Sequence, residues 1–168
     1  IIIVLTWLFL AIKKHYNRVA RQLRLEEQID RQNYTGNTVI VLVGNVTRVS
    51  IGAMSYARSI GDDVVAMHVS TTETAKKDAE VAEEFADYFP DIRFETVTTS
   101  YRNIISPTVQ YVIKVAKKAK KEGRTVTVLV PQFIPKKSWQ NILHNQMSLK
   151  LKYYLKWYED VVVASYSY

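Results

Sequence analysis

Apolar and polar positions along this chain fall into two regimes. Residues Ile1–Ile12 are apolar throughout except for Thr6, and the next twelve residues carry Lys13, Lys14, Arg18, Arg21 and Arg24. Such a run is shorter than the roughly 20 residues of a spanning helix, and its basic flank follows the apolar part instead of preceding it as in a signal peptide. The run therefore reads as the end of a truncated transmembrane helix, with the basic flank marking the cytoplasmic side. The alternative is an amphipathic N-terminal helix of a soluble protein, which the missing polar stripe disfavours. Tyr16, Val19 and Leu23 then recur at helical spacing, and Arg31–Asn37 is a polar linker, so residues 13–35 form a connecting helix and linker.

From residue 36 the pattern changes to short β-branched runs separated by helix-length segments. Thr38–Gly44 is a continuous apolar run, the mark of a strand buried on both faces. Helical spacing at Ser50–Ile60 stops at Gly61. Val64–Val69 is the second strand. An acidic helix spans Thr71–Phe89, with Thr71 or Thr72 as its cap and Pro90 as its stop. Ile92–Ser100 is a third strand, less apolar and so nearer an edge. A helix opening on Ser106 and Pro107 runs to Gly123. Arg124–Pro131 is the fourth strand, Ser138–Lys156 a long helical stretch, and Asp160–Tyr168 the fifth strand. Five alternations without a hairpin signal predict an α/β three-layer sandwich, with helices on both faces of a five-stranded parallel sheet. Ligands of such sheets bind beyond the carboxyl ends of the strands, where the strand order reverses. Those ends here are Gly44, Asn45 and Val46, with Arg48 just beyond; Met67, His68 and Val69; and the segment from Pro131 to Lys137.

Composition and charge narrow the classes. With 168 residues and 48% hydrophobic content the chain suits one domain plus an appendage. There is no cysteine, hence no disulfide framework and no thiolate metal site. The net charge of +7 divides into +3 over residues 1–35, −5 over 36–100 and +9 over 101–168. That distribution favours an anionic membrane surface or a phosphorylated small molecule over nucleic acid, because no reader motif interleaves the charges with aromatics. Catalysis has little support. His15, His68 and His144 lie in separate segments without metalloprotease spacing, and Ser50, Ser55 and Ser59 sit in no nucleophile elbow. Trp139, Leu143 and Met147 recur at core spacing, whereas the polar cluster His144, Asn145 and Gln146 interrupts the same helix and suits a ligand lining or an interface.

The segments VIVLVGNVTRVSIGAMSYARSI, VVAMHV, TSYRNIISPTVQYV and above all VLVPQFIPKKSWQNILHNQMSLKLKYYL resemble the C-terminal cytosolic domain of bacterial permeases of the amino-acid/polyamine/organocation superfamily, especially KimA-type potassium:proton symporters. That domain is itself similar to universal stress proteins. The resemblance implies strand order 3-2-1-4-5, a homodimer, a membrane-embedded transport core on the same polypeptide in the bacterial inner membrane, and inhibition by cyclic di-AMP. ATP-binding universal stress proteins carry a glycine-rich signature after the fourth strand. This chain has Pro131, Gln132, Phe133, Ile134 and Pro135 there, and two prolines remove two amide donors. A dinucleotide held between protomers would then draw on Asn45 and Arg48 for ribose and phosphate, on the Met67–Val69 backbone for an adenine edge, and on Lys136 and Lys137 for phosphate charge. Gln132, Phe133, His144 and Asn145 complete the expected lining. ATP or AMP is the weaker ligand. A ligand-free pairing module and a free-standing stress protein or hydrolase are the other readings.

Overall fold

The computed structural model describes residues 1–24, 33–71, 75–99, 103–132 and 146–167. They form two compact units, 1–32 and 33–168. In the first, α1 is one continuous helix, Ile2–Leu23, with no buried residue. Its one hydroxyl in the apolar half, Thr6 Oγ1, donates to the Ile2 carbonyl at 2.9 Å, leaving that half with a wholly apolar exterior. No helix among the described residues is long and apolar enough to cross a membrane.

The second unit alternates β1 (Gly36–Leu42), α2 (Arg48–Ile60), β2 (Asp63–Thr71), α3 (Ala75–Tyr88), β3 (Arg93–Thr99), α4 (Ile105–Lys121), β4 (Arg124–Gln132), α5 (Gln146–Leu155) and β5 (Val161–Ser167). The sheet is parallel throughout and ordered β3-β2-β1-β4-β5. The expected three-layer α/β sandwich is therefore present, and the less apolar third strand lies at an edge. Successive residues of the central strands point to opposite layers. Val39, Val41 and Val43 meet Ala53, Met54 and Ala57 of α2 and Phe85 of α3. Ile40 and Met67 meet Val112, Ala116 and Ala119 of α4 and Leu151 and Leu155 of α5. Two cores on one continuously apolar sheet explain why its middle strands show no alternation in sequence.

Helix ends follow local chemistry. Thr47 caps α2 reciprocally with Ser50: Ser50 N–H donates to Thr47 Oγ1 at 3.2 Å and Thr47 N–H to Ser50 Oγ at 2.7 Å. Gly61 ends α2 as expected, because a Cβ there would stand 2.6 Å from Val39 Cγ2. Gly123, at φ +70°, makes the left-handed turn from α4 into β4. The start of α4 differs from expectation by one turn position. Ile104 and not Ser106 precedes the helix, since Asn103 Oδ1 accepts from the Ser106 N–H at 3.3 Å, and Pro107 falls inside the first turn, where its missing N–H has no intrahelical partner to lose. Of the caps expected for α3, Thr71 belongs to β2 and Thr72 lies outside the described residues, as do Trp139 and Leu143. Met147 packs partly buried against the second core.

At the bottom of the sheet, Asp160 accepts from Tyr34 Oη at 3.0 Å and pairs with Lys120 at 3.1 Å. The Lys120 bond foremost, then that of Tyr34, holds the Asp160 carboxyl below its ordinary value. Its contribution to stability is therefore present above the usual carboxylate range and is lost as pH falls through the lowered value.

Candidate functional site

β1 and β4 pair as far as Val41 and Leu129 and then part. Because β1 is followed by β2 on one side and β4 lies on the other, this is where the strand order reverses. The strands open a crevice of about 540 Å³ lined by Leu42, Gly44, Asn45, Thr47, Arg48, Val49, Ser50 and Pro131. Its floor is apolar, from Leu42 and Pro131, and its rim is the first turn of α2. The reciprocal Thr47–Ser50 cap fixes that turn, and Ser50 Oγ also donates to the Asn45 carbonyl at 3.0 Å, so the loop carrying Asn45 is tied to the helix carrying Arg48. A Cβ at Gly44 would meet nothing within 4 Å, which marks the space before the loop as open.

The arrangement suits an anion. The N-terminal turn of a helix presents unpaired N–H groups and positive dipole. Arg48, exposed at the first position of α2, adds a guanidinium that can engage a phosphate through two donors. Among the described residues no group of His, Asp and Glu could hold a metal ion.

The structure thus gathers Gly44, Asn45 and Arg48 at one crevice, with Gln132 one residue beyond the Pro131 that lines it. Val46 instead packs against the core. Met67 and His68 are buried, Val69 is partly so, and the backbone of all three runs within the β2–β3 ladder. Phe133, Lys136, Lys137, His144 and Asn145 lie outside the described residues. Thr47, Val49, Ser50 and Leu42 join the lining without having been singled out by sequence. The cap signal in Thr47-x-x-Ser50 was there to find them.

His68 has a different task. Its Nδ1 donates to the Val43 carbonyl at 2.7 Å, and its Nε2 meets Asp78 Oδ1 at 3.0 Å. A carbonyl only accepts, so Nδ1 carries a proton, and Nε2 faces the carboxylate. Ser70 Oγ donates to the other oxygen of Asp78 at 2.5 Å, while the ring stacks on Phe94 with centroids 5.8 Å apart. The network ties α3 to the end of β1, one residue before Gly44. It holds the loop that carries the crevice.

A family model described as the KimA potassium transporter C-terminal domain matches residues 35–168. The potassium transporter KimA of Bacillus subtilis (strain 168) is 40% identical over 165 residues, which is 98% of this chain and 27% of that relative. The chain thus spans about a quarter of the length of the curated relative it matches.

Proposed function

The chain belongs to the family of KimA potassium transporter C-terminal domains, and from that premise we propose that it is the cytoplasmic regulatory and dimerising part of a bacterial potassium transporter, which senses an adenine nucleotide, cyclic di-AMP by preference. The observation that carries the nucleotide reading is the meeting of Asn45, Arg48 and the capped N-terminus of α2 at the point where β1 and β4 part. A dinucleotide supplies two phosphates for such donors. Pro131 at the crevice lacks the amide with which a glycine-rich loop would grip a triphosphate, so ATP binds less well. The apolar half of α1, followed by Lys13, Lys14, Arg18, Arg21 and, just past the helix, Arg24, suits a segment that continues from the transport core on its cytoplasmic side.

Titration calorimetry of the full chain tests this reading. Cyclic di-AMP should bind at micromolar affinity or tighter, about 8 kcal/mol, and ATP more weakly. Absence of heat with either nucleotide at millimolar concentration would leave a ligand-free pairing module.

Pairing itself is attributed to β5, an edge strand in which Val162 is 54% exposed. Val126 N–H donates to the Asp160 carbonyl and pairs in register with Val161. In a parallel ladder each strand's successive residues turn their backbone groups to alternate sides, which directs the Val162 amide toward β4 and the Val163 amide outward. Val163→Pro should therefore convert a dimer to monomers in light scattering. An unchanged mass in that variant would exclude the β5 seam.

A further inference from the structure

The two helical layers of the sandwich differ in charge. α4 and α5 carry Lys114, Lys117, Lys118, Lys120, Lys121, Lys150 and Lys152 with no acidic residue, whereas α2 and α3 carry Arg48, Arg58, Lys76 and Lys77 against Asp78, Glu80, Glu83, Glu84 and Asp87. On α5 the core is reached by Ser148, Leu151 and Leu155. The opposite side should then be polar. Instead it shows Leu149 and Tyr153, each 64% exposed, with Tyr154 beside them, and Trp157, 80% exposed, follows in the turn directly after the helix. Lys156 lies over two of these rings, its Nζ 4.4 Å from the Tyr153 centroid and 4.9 Å from that of Trp157. Lys117 and Lys120 of α4 line one hollow of about 290 Å³ together with Trp157, so the basic face of α4 continues into the aromatic stripe. Lys120 is held by Asp160. Glu159 lines the same hollow at its loop end, and Glu122 pairs with Arg124.

We infer that this face, Leu149–Tyr153–Trp157 rimmed by lysines, docks on an anionic membrane surface. Tyr and Trp place a ring at the level of the lipid headgroups while keeping a polar tip in water, and lysines lay their stems along apolar surface with the ammonium among phosphates. A helix apolar on the outside and flanked by Lys binds an interface by burial and charge together. A second copy of the chain fits poorly, because the lysines of one copy would face those of the other, and Lys is depleted from interface cores. Nucleic acid would need a charged groove with bases stacked along it, whereas this stripe runs along the outside of a helix. The inference rests on membership in a family of transporter domains and not on the nucleotide reading.

The chain has no cysteine, so Leu149→Cys carries a polarity-sensitive fluorophore at one place, and Ser55→Cys, exposed on α2 in the opposite layer, serves as control. The labelled full chain is added, without nucleotide, to vesicles of phosphatidylcholine alone or mixed two to one with phosphatidylglycerol. The basic flank of α1 can itself bring the chain to anionic lipid, so the label at 55 and the lysine variants of α5 separate the contact of this face from that of α1. The label at position 149 should shift to the blue only with phosphatidylglycerol, and the label at 55 with neither. About 0.5 M salt should reverse the shift, and Lys150→Glu/Lys152→Glu/Lys156→Glu, all at exposed positions, should raise the lipid needed at least roughly tenfold. No shift at 149 in the mixed vesicles, with the circular dichroism of the folded chain retained, overturns the proposal. So does a shift that appears without lipid as protein concentration rises, which would assign the face to a second copy, or one that single-stranded RNA produces and vesicles do not.

Discussion

Asp78→Ala is expected to destabilise the domain by about 3–5 kcal/mol, the cost of breaking one side of a buried, hydrogen-bonded His–carboxylate couple. Asp78 and His68 have side chains only 11% and 5% exposed. Without the carboxylate, His68 Nε2 and Ser70 Oγ both lose the partner they have in a nearly dry setting, and an unmet buried polar group costs more than a satisfied one gains. His68→Leu should also destabilise, although a leucine fills the space over Phe94, because it takes from the Asp78 carboxylate and the Val43 carbonyl the donors that His68 supplies. Thermal unfolding followed by circular dichroism reads both, and the Asp78→Ala midpoint should fall by about 10 °C or more. A midpoint within a degree or so of the parent chain would show that the network contributes nothing to the fold.

Arg48→Ala should weaken cyclic di-AMP binding by a factor of about 10–100, the loss of one or two charge-assisted hydrogen bonds to phosphate. The side chain is exposed, so its removal leaves the cores untouched. Thr47 and Ser50 still cap the helix. Arg48→Lys should recover part of the loss, since an ammonium replaces the charge without the planar fork. Arg58 is the internal comparison: it lies on the last turn of the same helix, paired with Asp91, and Arg58→Ala should leave the affinity unchanged. Equal loss in the Arg48 and Arg58 variants would mean that the effect is one of net charge and that the ligand does not sit at the start of α2.

Much of the architecture was legible because each strand states its own burial. The runs of β1, β2 and β4 show no apolar–polar alternation and are buried on successive residues, as a strand between two helical layers must be, while Arg93, Glu95 and the threonines of β3 gave away its edge position. Gly44, Asn45 and Arg48 could be placed because the end of a central strand and the start of the next helix are adjacent in sequence. The His68–Asp78 couple was not legible, for Asp78 is one of five acidic residues on α3 and only the fold selects which one turns inward. Nor was the exposed stripe of α5. Ser148, Leu151 and Leu155 interleave with Leu149, Tyr153 and Trp157, so the apolar residues mark no single inward side, and only the packing of the inner row on Ile40, Val128 and their neighbours shows that the outer row is left over. The start of α4 moved because Asn103, an ordinary loop residue by sequence, competes with Ser106 for the cap.

An adenine dinucleotide is proposed to occupy the crevice between the diverging ends of β1 and β4. The most direct measurement is the mapping of backbone amide chemical shifts in the labelled chain as cyclic di-AMP is added. The largest changes should fall on Gly44, Asn45, Thr47, Arg48 and Val49, with Gln132 beside them and the amides of α3 and of the Asn103–Gln110 turn unmoved. Changes centred on the separate hollow lined by Asn103, Ser106, Gln110, Lys150 and Tyr154, or none at saturating nucleotide, would contradict the claim.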